Sequence, residues 1–503
     1  MPRKETYMNI KNNIRRVVAL LLTAGIIAPL AVGCGTKTAK GDNVIDWYMP
    51  KASDNMSGQE LVEKKANEII EKKLGVTLKL HLIDSGSYDK KMNTMIAAGE
   101  EFDICYTTSW TNNYVENVRK GAFLDITDLL NEYGKDIIAK SDEVMLTAPK
   151  IDGKAYAVVS QTPYSSKQSR VIKKDLAEKY NFDYKNAVSL DDLEPFLKAV
   201  KEGESGIVPI MASASSSVPR MGSGRYTDDQ VKGMIFDEEQ QKYVISLEQD
   251  ESLNDYRKIN DFYKKGYISS SAITIQDYMS EVKTGSYAVM RNTGTYTEDG
   301  SKSSAAYGFP CVETYLGQSI VNTGALYSSM NAISITSKQP EKAMQLINLI
   351  WSDPDLSNLL AYGIEGINYI VDEERTAEIG EKSVTPKTGS ESTWQIPHNW
   401  IGPLWDQWDS PWNSREALEQ MQETNHNAKK SSTLGFTFNS KPVKTEIAQV
   451  SSVLEEIRPV LNTGSMPDFD AFIASSLSKL KASGIDKIAE EANRQFEEWK
   501  NNQ

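Results

Sequence analysis

The chain of 503 residues carries 69 acidic and 56 basic side chains, which gives a formal net charge of −13. This balance argues against a nucleic-acid-binding protein, which would present a basic surface. The length exceeds what one hydrophobic core usually organises, so we expect two or more lobes.

The N-terminal segment has the layout of an export signal. Basic residues precede an apolar run, residues 17–32, which is short for a membrane span of about 20 residues. The segment Leu30–Cys34 resembles the lipobox of bacterial lipoproteins, although Ala31 stands where that motif usually has Leu, Val or Ile. We predict a signal peptide over residues 1–33, lipidation of Cys34 and a tether over residues 34–43. The alternative is an ordinary signal peptide with a chance cysteine.

The remaining cysteines and the histidines give no metal signature. Cys105 and Cys311 lie far apart and lack the C-x-x-C spacing of metal sites, and the three histidines are scattered. We expect two buried free thiols rather than a disulfide, no metal site and no cofactor.

The chain after the tether begins with alternating strands and helices. Apolar patterns predict strands at Val44–Tyr48, Val76–Ile83 and Phe102–Tyr106, with helices between them at Gln59–Leu74 and Tyr88–Ala98. This order is typical of a parallel or mixed sheet in an α/β protein. Amphipathic spacing predicts a helical C-terminal region over residues 414–430, 443–460 and 469–500.

Several short motifs, in order along the chain, resemble those of one protein family. They are Ala97–Ile104, Gly121–Ile126, Ile151–Val158, Lys283–Met290 and Asn331–Ile335. Behind a lipobox, this series resembles the family 1 extracellular solute-binding proteins, the ligand-capturing lipoproteins of ABC importers. Later segments resemble the LplA-like lipoproteins of that family; they are Tyr362–Gly366, Leu434–Phe436 and Ala482–Lys487.

The resemblance implies an α/β, two-lobed periplasmic-binding-protein-like fold of type II, with a hinge and a helical C-terminal region. Lobe one would hold residues 42–158 plus 291–340, and lobe two would hold residues 159–290 plus 341–503. The crossovers would then fall near Val159–Ser160 and Met290–Arg291.

The resemblance also implies a function. The chain would capture a carbohydrate, in particular an oligosaccharide, in the cleft between the lobes. It would deliver that ligand to the permease subunits of an ABC transporter. We expect a monomer on the extracellular face of the cell membrane, held there by its lipid anchor.

Aromatic and planar polar side chains near the expected cleft are the candidate ligand-binding residues. Sugars are bound by ring stacking and by hydrogen bonds to their hydroxyls. The candidates lie at strand ends, beside the crossovers or in a tryptophan-rich segment; they are Trp47, Tyr48, Trp110, Tyr164, Arg291, Asn292, Asn399 and Trp400. For each ring, the alternative is a structural place in the core. Arg291 could bind hydroxyls or a uronate carboxylate, or it could tie the hinge to a carboxylate of the chain.

Two other function classes stay open from the sequence. An exported glycosidase needs a pair of carboxylates, and 69 acidic residues are compatible with such a pair. However, the chain lacks the G-x-S-x-G, H-E-x-x-H and phosphate-binding loop motifs, so we predict that it is not an enzyme. The other alternative is a lipoprotein that binds a peptide or another solute on the same fold.

Overall fold

The structure is a computed structural model. It describes residues 43–53, 56–165, 168–218, 225–228, 230–292, 296–387, 393–411 and 413–502. The predicted signal peptide, Cys34 and all of the tether except residue 43 lie outside these ranges. In the described ranges, no helix is long and apolar enough to cross a membrane.

The strands form two larger sheets and several two-stranded pairs. They are β1 (Val44–Pro50), β2 (Thr77–Ile83), β3 (Ile104–Thr107), β4 (Val158–Val159), β5 (Ser169–Lys173), β6 (Val208–Ile210), β7 (Met234–Asp237), β8 (Lys242–Ile245), β9 (Tyr287–Arg291), β10 (Cys311–Tyr315), β11 (Ile320–Val321), β12 (Met330–Ile333), β13 (Tyr369–Val371), β14 (Val384–Pro386) and β15 (Lys429–Lys430).

The α-helices surround the sheets and form the C-terminal region. They are Gln59–Leu74, Ser85–Ala98, Tyr114–Arg119, Thr127–Tyr133, Lys135–Lys140, Glu143–Thr147, Lys174–Lys179, Leu190–Gly203, Asp250–Lys264, Tyr278–Val282, Ser301–Tyr307, Thr323–Leu326, Pro340–Ser352, Pro354–Tyr362, Glu373–Ile379, His398–Ile401, Arg415–His426, Lys444–Thr463, Phe469–Ala482 and Ile485–Asn501.

The first sheet has the strand order β2-β1-β3-β12-β4. Strand β1 runs parallel to β3, whereas β12 runs antiparallel to both of its neighbours, β3 and β4. Every residue of β3 and β12 is buried, as in central strands that are covered on both faces. The strand–helix order predicted for the start of the chain is confirmed.

The second sheet has the strand order β10-β5-β9-β6. Strand β5 runs antiparallel to β10 and β9, and β9 runs parallel to β6. Two sheets that each carry their own core give the mixed α/β, two-lobed architecture that the resemblance implied. Cys105 lies in the first sheet and Cys311 in the second, and both are buried free thiols as predicted.

The chain crosses between the sheets at one predicted place and at one that the sequence did not indicate. It leaves the first sheet after β4 and enters the second at β5, which is the predicted first crossover. It returns between Tyr315 and Met330, so a crossover at Met290–Arg291 is wrong. Strand β9 is followed by the helix Ser301–Tyr307 and by β10, and β10 pairs with β5 in the second sheet.

The helices Pro340–Ser352 and Pro354–Tyr362 also differ from the predicted division. Both pack in the core of the first sheet, although residues 341–503 were assigned to lobe two. Helix Pro340–Ser352 buries side chains on most of its surface and follows β12 after a short connection, so it packs against the sheet that it leaves. The rest of the division stays a prediction.

The C-terminal helices form a further core with the hairpin β7–β8. Phe236 of β7 packs edge-on against Phe496, with 4.8 Å between ring centroids, and Phe436 joins the same cluster. The described chain passes from the first core to this one between Ile401 and Phe436. The structure therefore has a third crossing segment, which includes the helix Arg415–His426.

Candidate functional site

Strand β3 ends in a loop that holds Trp110 at the surface. The hydroxyl oxygen of Thr108 accepts hydrogen bonds from the backbone N–H groups of Trp110 (3.0 Å) and Thr111 (2.8 Å). The indole N–H of Trp110 donates to the backbone carbonyl of Ser328 (3.2 Å), yet 62% of the residue is exposed. The loop thus fixes the indole and leaves its apolar surface open to a ligand.

Tyr106 adjoins Trp110 and also contacts a third ring, that of Trp400. The buried ring of Tyr106 meets Trp110 edge-on, with 6.2 Å between centroids, and lies 5.3 Å from the half-buried ring of Trp400. We call Tyr106, Trp110 and Trp400 the aromatic platform. The exposed indole of Trp110 and the half-buried indole of Trp400 are flat apolar surfaces of the kind that stacks on a sugar ring, and the buried Tyr106 packs against both of them. Sequence reasoning missed Tyr106, although it ends the predicted strand Phe102–Tyr106.

The backbone of the segment that carries Trp400 is fixed to strand β12 and to the residue before it. The Ser329 hydroxyl donates to the carbonyl of Asn399, and the Asn331 amide donates to the carbonyl of Trp400 (2.8 Å). Asn399 is half-buried and directly precedes Trp400, so the structure brings these two predicted residues and Trp110 to one place.

Trp47 is a core residue rather than a ligand-stacking ring. It is fully buried, and its indole N–H donates to the side-chain oxygen of Asn331 (3.2 Å). Successive side chains of a strand point to opposite faces, and Ile45, Trp47 and Met49 form the buried set of β1. Trp47 therefore contributes to the platform indirectly, because its hydrogen bond holds Asn331, which in turn donates to the backbone of Trp400.

Tyr48 lies on the other face of β1. Its ring stacks on His81 with 4.2 Å between centroids and meets Phe102 edge-on. The parallel register places Tyr48 opposite Cys105, so its ring leaves the sheet on the face opposite to Tyr106. A strand-end position therefore did not distinguish which side of the sheet the ring would occupy.

Tyr164 is buried at the first crossover. Its hydroxyl donates to the Asp142 carboxylate (2.6 Å), and burial together with this bond raises the pKa of Tyr164 well above its usual range. The next residue, Ser165, donates its N–H and its hydroxyl to Asn425, on the helix Arg415–His426. Tyr164 thus fixes a crossing segment instead of presenting a ring to solvent.

Arg291 ends strand β9, and its guanidinium has no carboxylate partner within the described ranges. The group lies 4.6 Å above the ring of Tyr278, and its buried Nε has no hydrogen-bond acceptor within the described ranges. The backbone is held on both sides, because Arg291 N–H donates to the Tyr278 hydroxyl and its carbonyl accepts from the Tyr307 hydroxyl (2.5 Å). The half-buried Asn292 follows directly. Burial raises the pKa of Tyr278 to about 12, so that hydroxyl stays protonated at neutral pH.

Glu313 of strand β10, in the same sheet, is a buried acid that was not among the predicted site residues. Its Oε2 accepts a hydrogen bond from the Ser169 hydroxyl (2.5 Å), and Oε1 has no partner in the described ranges. Burial raises the pKa of Glu313 from 4.5 to about 7. The signal was present in the sequence, since Glu313 interrupts the otherwise uncharged strand Cys311–Tyr315.

The strand register places the aromatic platform and Arg291 at the strand ends where the chain crosses from one sheet to the other. In the first sheet, Met330 of β12 is opposite both Thr107 and Val159, so the platform follows the edge where both crossovers attach. In the second sheet, Tyr315 is opposite Ser169, and Arg170 is opposite Arg291. Open α/β sheets bind ligands in crevices at such edges. In the described chain, no three His, Cys, Asp or Glu side chains are grouped so as to hold a metal ion.

Comparison with known proteins covers most of the chain. The family model described as bacterial extracellular solute-binding protein matches residues 52–354, and a domain of unknown function matches residues 432–501. A carbohydrate ABC transporter substrate-binding protein of Streptococcus pneumoniae is 28% identical over 96% of both chains. The polygalacturonan/rhamnogalacturonan-binding protein YtcQ of Bacillus subtilis is 24% identical over 65% of this chain and 68% of its own.

A solved structure supports the same assignment. The N-glycan transport solute-binding protein NgtS of S. pneumoniae has a TM-score of 0.80 and 26% identity, over 92% of this chain and 100% of its own. Its structures with Man1GlcNAc and Man5GlcNAc give TM-scores of 0.72 and 0.70. These relatives are binding proteins and not enzymes. The present chain belongs to the bacterial extracellular solute-binding protein family.

Proposed function

We propose that this protein captures an oligosaccharide at the edge where the crossovers join the two sheets and delivers it to the permease of an ABC importer. The observation that carries the proposal is Trp110, whose ring is exposed and fixed beside Tyr106 and Trp400. An exposed, immobilised indole costs little conformational entropy on binding, which makes it an effective anchor for a sugar ring.

The relatives support a carbohydrate ligand. The similar S. pneumoniae proteins are a carbohydrate transporter component and an N-glycan transport protein, and the latter has been crystallised with Man1GlcNAc and Man5GlcNAc. We therefore infer that oligosaccharides built of mannose and N-acetylglucosamine are the first ligand class to test.

Arg291 favours a second ligand class, which is acidic. A guanidinium with no carboxylate partner in the described chain is suited to a bidentate contact with a uronate. The similar B. subtilis protein binds polygalacturonan or rhamnogalacturonan according to its name. Galacturonate oligomers are therefore the matched alternative to neutral glycans.

The proposal includes a lipid anchor that holds the protein at the membrane, and it includes no catalytic step. Lipidation of Cys34, which lies outside the described residues, would hold the protein at the extracellular face of the membrane. One similar B. subtilis protein is named a lipoprotein. In a Cys34→Ser variant we expect release of the protein into the medium, and full membrane retention of that variant would contradict the lipobox interpretation.

Ligand capture would close the two lobes. In support, the TM-score to NgtS decreases from 0.80 to 0.72 and 0.70 when the compared structure contains a glycan. This decrease is expected if the relative's lobes rearrange around a ligand. Small-angle scattering of this protein should therefore give a smaller radius of gyration with bound ligand than without it.

Calorimetric titration with Man1GlcNAc, Man5GlcNAc and galacturonate oligomers tests the proposal. We expect saturable binding of one class, a raised melting temperature with that class and no cleavage of it on prolonged incubation. Binding of peptides with no binding of any glycan would overturn the carbohydrate proposal, and cleavage of the bound glycan would reveal an enzyme.

A further inference from the structure

A cavity of about 650 Å³ lies beside the loop that carries Trp110. This volume is within the range of roughly 300–1,000 Å³ that ligand pockets occupy. Its walls come from three parts of the chain: the loop and helix from Ser109 to Glu116, the segment from Asn322 to Tyr327, and residues 437–447 of the C-terminal region. Gln230 and Lys232 complete the lining.

The cavity shares its border with the aromatic platform. Ser109 lines the cavity and Trp110, the next residue, forms the platform. Across from them, Tyr327 lines the cavity, and the adjacent Ser328 carbonyl accepts the Trp110 indole N–H. The Ser109 N–H donates to the Tyr327 carbonyl (2.8 Å), so one hydrogen-bonded pair of segments carries both surfaces.

The polar groups of the cavity are fixed and only partly used. Asn113 accepts from the Glu116 N–H and donates to the Ser109 carbonyl, and Asn322 accepts from the Ala325 N–H and donates to the Thr227 carbonyl. A side-chain amide has two N–H groups and two lone pairs. Each of these amides therefore keeps one donor and one acceptor in a set orientation, which suits vicinal hydroxyls of a sugar.

The remaining walls are aromatic or exposed. The rings of Tyr114, Tyr327 and Phe438 line the cavity but are largely buried, so only parts of them face it, and the Tyr327 hydroxyl is hydrogen-bonded to Thr437 (2.6 Å), which joins the first lobe to the C-terminal region. Lys232 stands exposed at the rim, with no ion-pair partner in the described ranges. Rings together with planar amides are the side chains that bind carbohydrate.

We infer that this cavity is a second carbohydrate subsite, which takes further units or a branch of an oligosaccharide whose first units lie on the aromatic platform. The inference rests on the proposed function and deepens it. It also gives the C-terminal domain of unknown function a role, because residues 437–447 lie in the matched range 432–501 and form one wall.

The test compares a long and a short ligand on a variant that fills the cavity. Ser440 is exposed at the cavity wall, so a Ser440→Trp variant should fold normally and occupy the space. We expect its affinity for Man5GlcNAc to decrease about tenfold or more, while that for Man1GlcNAc stays within about twofold of wild type. Ser452→Trp, at an exposed position of the helix Lys444–Thr463 that does not line the cavity, is the matched control and should change neither affinity.

Each outcome decides a different point. Unchanged Man5GlcNAc affinity in Ser440→Trp, or an equal loss for both glycans, would overturn the subsite and leave the proposed function standing. If the wild type binds neither glycan, the mannose and N-acetylglucosamine class fails, and the same comparison is then made with galacturonate oligomers of two and six units. No binding of either series by the wild type would reject the proposed function, and the subsite with it.

Discussion

The two sheets differ in what they present at the edges joined by the crossovers. The rings of Tyr106, Trp110 and Trp400 lie at the end of the first sheet, and the indole N–H of Trp110 is bonded to the backbone of Ser328. The second sheet ends in Arg291, without a carboxylate partner in the described ranges, and the buried acid Glu313 lies two residues before the end of β10. One end presents an exposed aromatic surface, whereas the other holds charged groups with buried atoms that have no hydrogen-bond partner in the described ranges.

The rings within the first sheet are not equivalent either. Trp47 and Trp110 both follow from the same strand–helix pattern, yet one is fully buried and the other is 62% exposed. Burial of Trp47 positions Asn331, which holds Trp400. An exposed platform thus depends on a buried ring behind it.

The largest effect should come from Trp47→Ala. Removal of a fully buried Trp leaves a cavity and an unpaired Asn331 oxygen, so we expect a loss of about 3–5 kcal/mol in the free energy of unfolding. Chemical denaturation measures this change. A melting temperature near that of the wild type would remove Trp47 from the core.

Glu313 provides the next largest effect. Its pKa is about 7 in the folded protein and 4.5 in the unfolded chain, so the folded state binds more protons between these values. Stability from this group is complete below pH 4.5 and is lost as the pH rises through 7, by roughly 3 kcal/mol.

A Glu313→Gln variant removes that loss. We expect the variant to gain stability relative to wild type as the pH rises from 4.5 to 8, measured as the difference between their unfolding free energies. Both proteins contain the same other titrating groups, so the contributions of those groups cancel in this difference. One of them is the buried His398, whose pKa of about 3 makes stability rise with pH below pH 6.5, opposite to the effect of Glu313. A constant difference would contradict a raised pKa of Glu313.

Trp110→Ala should affect binding and spare the fold. The lost stacking surface should reduce affinity by about 1–3 kcal/mol, as for aromatic anchors in other interfaces. Its melting temperature should stay close to that of the wild type, because the ring is mostly exposed. A normal affinity would remove Trp110 from the ligand site.

Arg291→Lys should give the smallest effect. The charge is kept, but the fork of the guanidinium and its stacking on Tyr278 are lost. We expect a loss of about 1 kcal/mol in affinity for an acidic glycan. For a neutral glycan the loss should be smaller, so equal losses for both would argue against a carboxylate contact.

The sequence predicted much of the fold because local patterns and ordered motifs both carry information about it. The early strands and helices have local signals, whereas the two-lobed class and the first crossover followed from the family resemblance. The second crossover was mistaken, because β10 is a short strand whose pairing with β5 depends on contacts distant in sequence. The helix Pro340–Ser352 was likewise assigned to the wrong lobe, because an apolar helix surface shows that the helix is buried but not which sheet it packs against.

The structure brings together only some of the residues predicted to bind ligand, and their role in binding stays a prediction. Trp110, Asn399 and Trp400 lie together, and Arg291 ends a strand at the joined edge. Tyr48 and Trp47 follow one another on a strand, so a strand-end argument selected both although their side chains point to opposite faces. Tyr164 was placed correctly beside a crossover, but a hydroxyl bonded to Asp142 makes it structural.

The three crossing segments have a consequence for how affinity is set. Ser160 N–H donates to the Ser329 carbonyl (3.0 Å), Gln161 N–H to the Gly402 carbonyl (2.8 Å), and the Asn425 amide to the Thr162 carbonyl (2.8 Å), so the segments are tied side by side. Three crossing segments tied side by side in this way favour rotation of the lobes about one axis and resist rotation about the others. If the lobes close on a ligand as proposed, their motion is confined to one angle, and the apparent dissociation constant equals the intrinsic constant divided by the fraction of molecules at the closed angle. Substitutions in these ties could therefore tune affinity without touching any ligand contact.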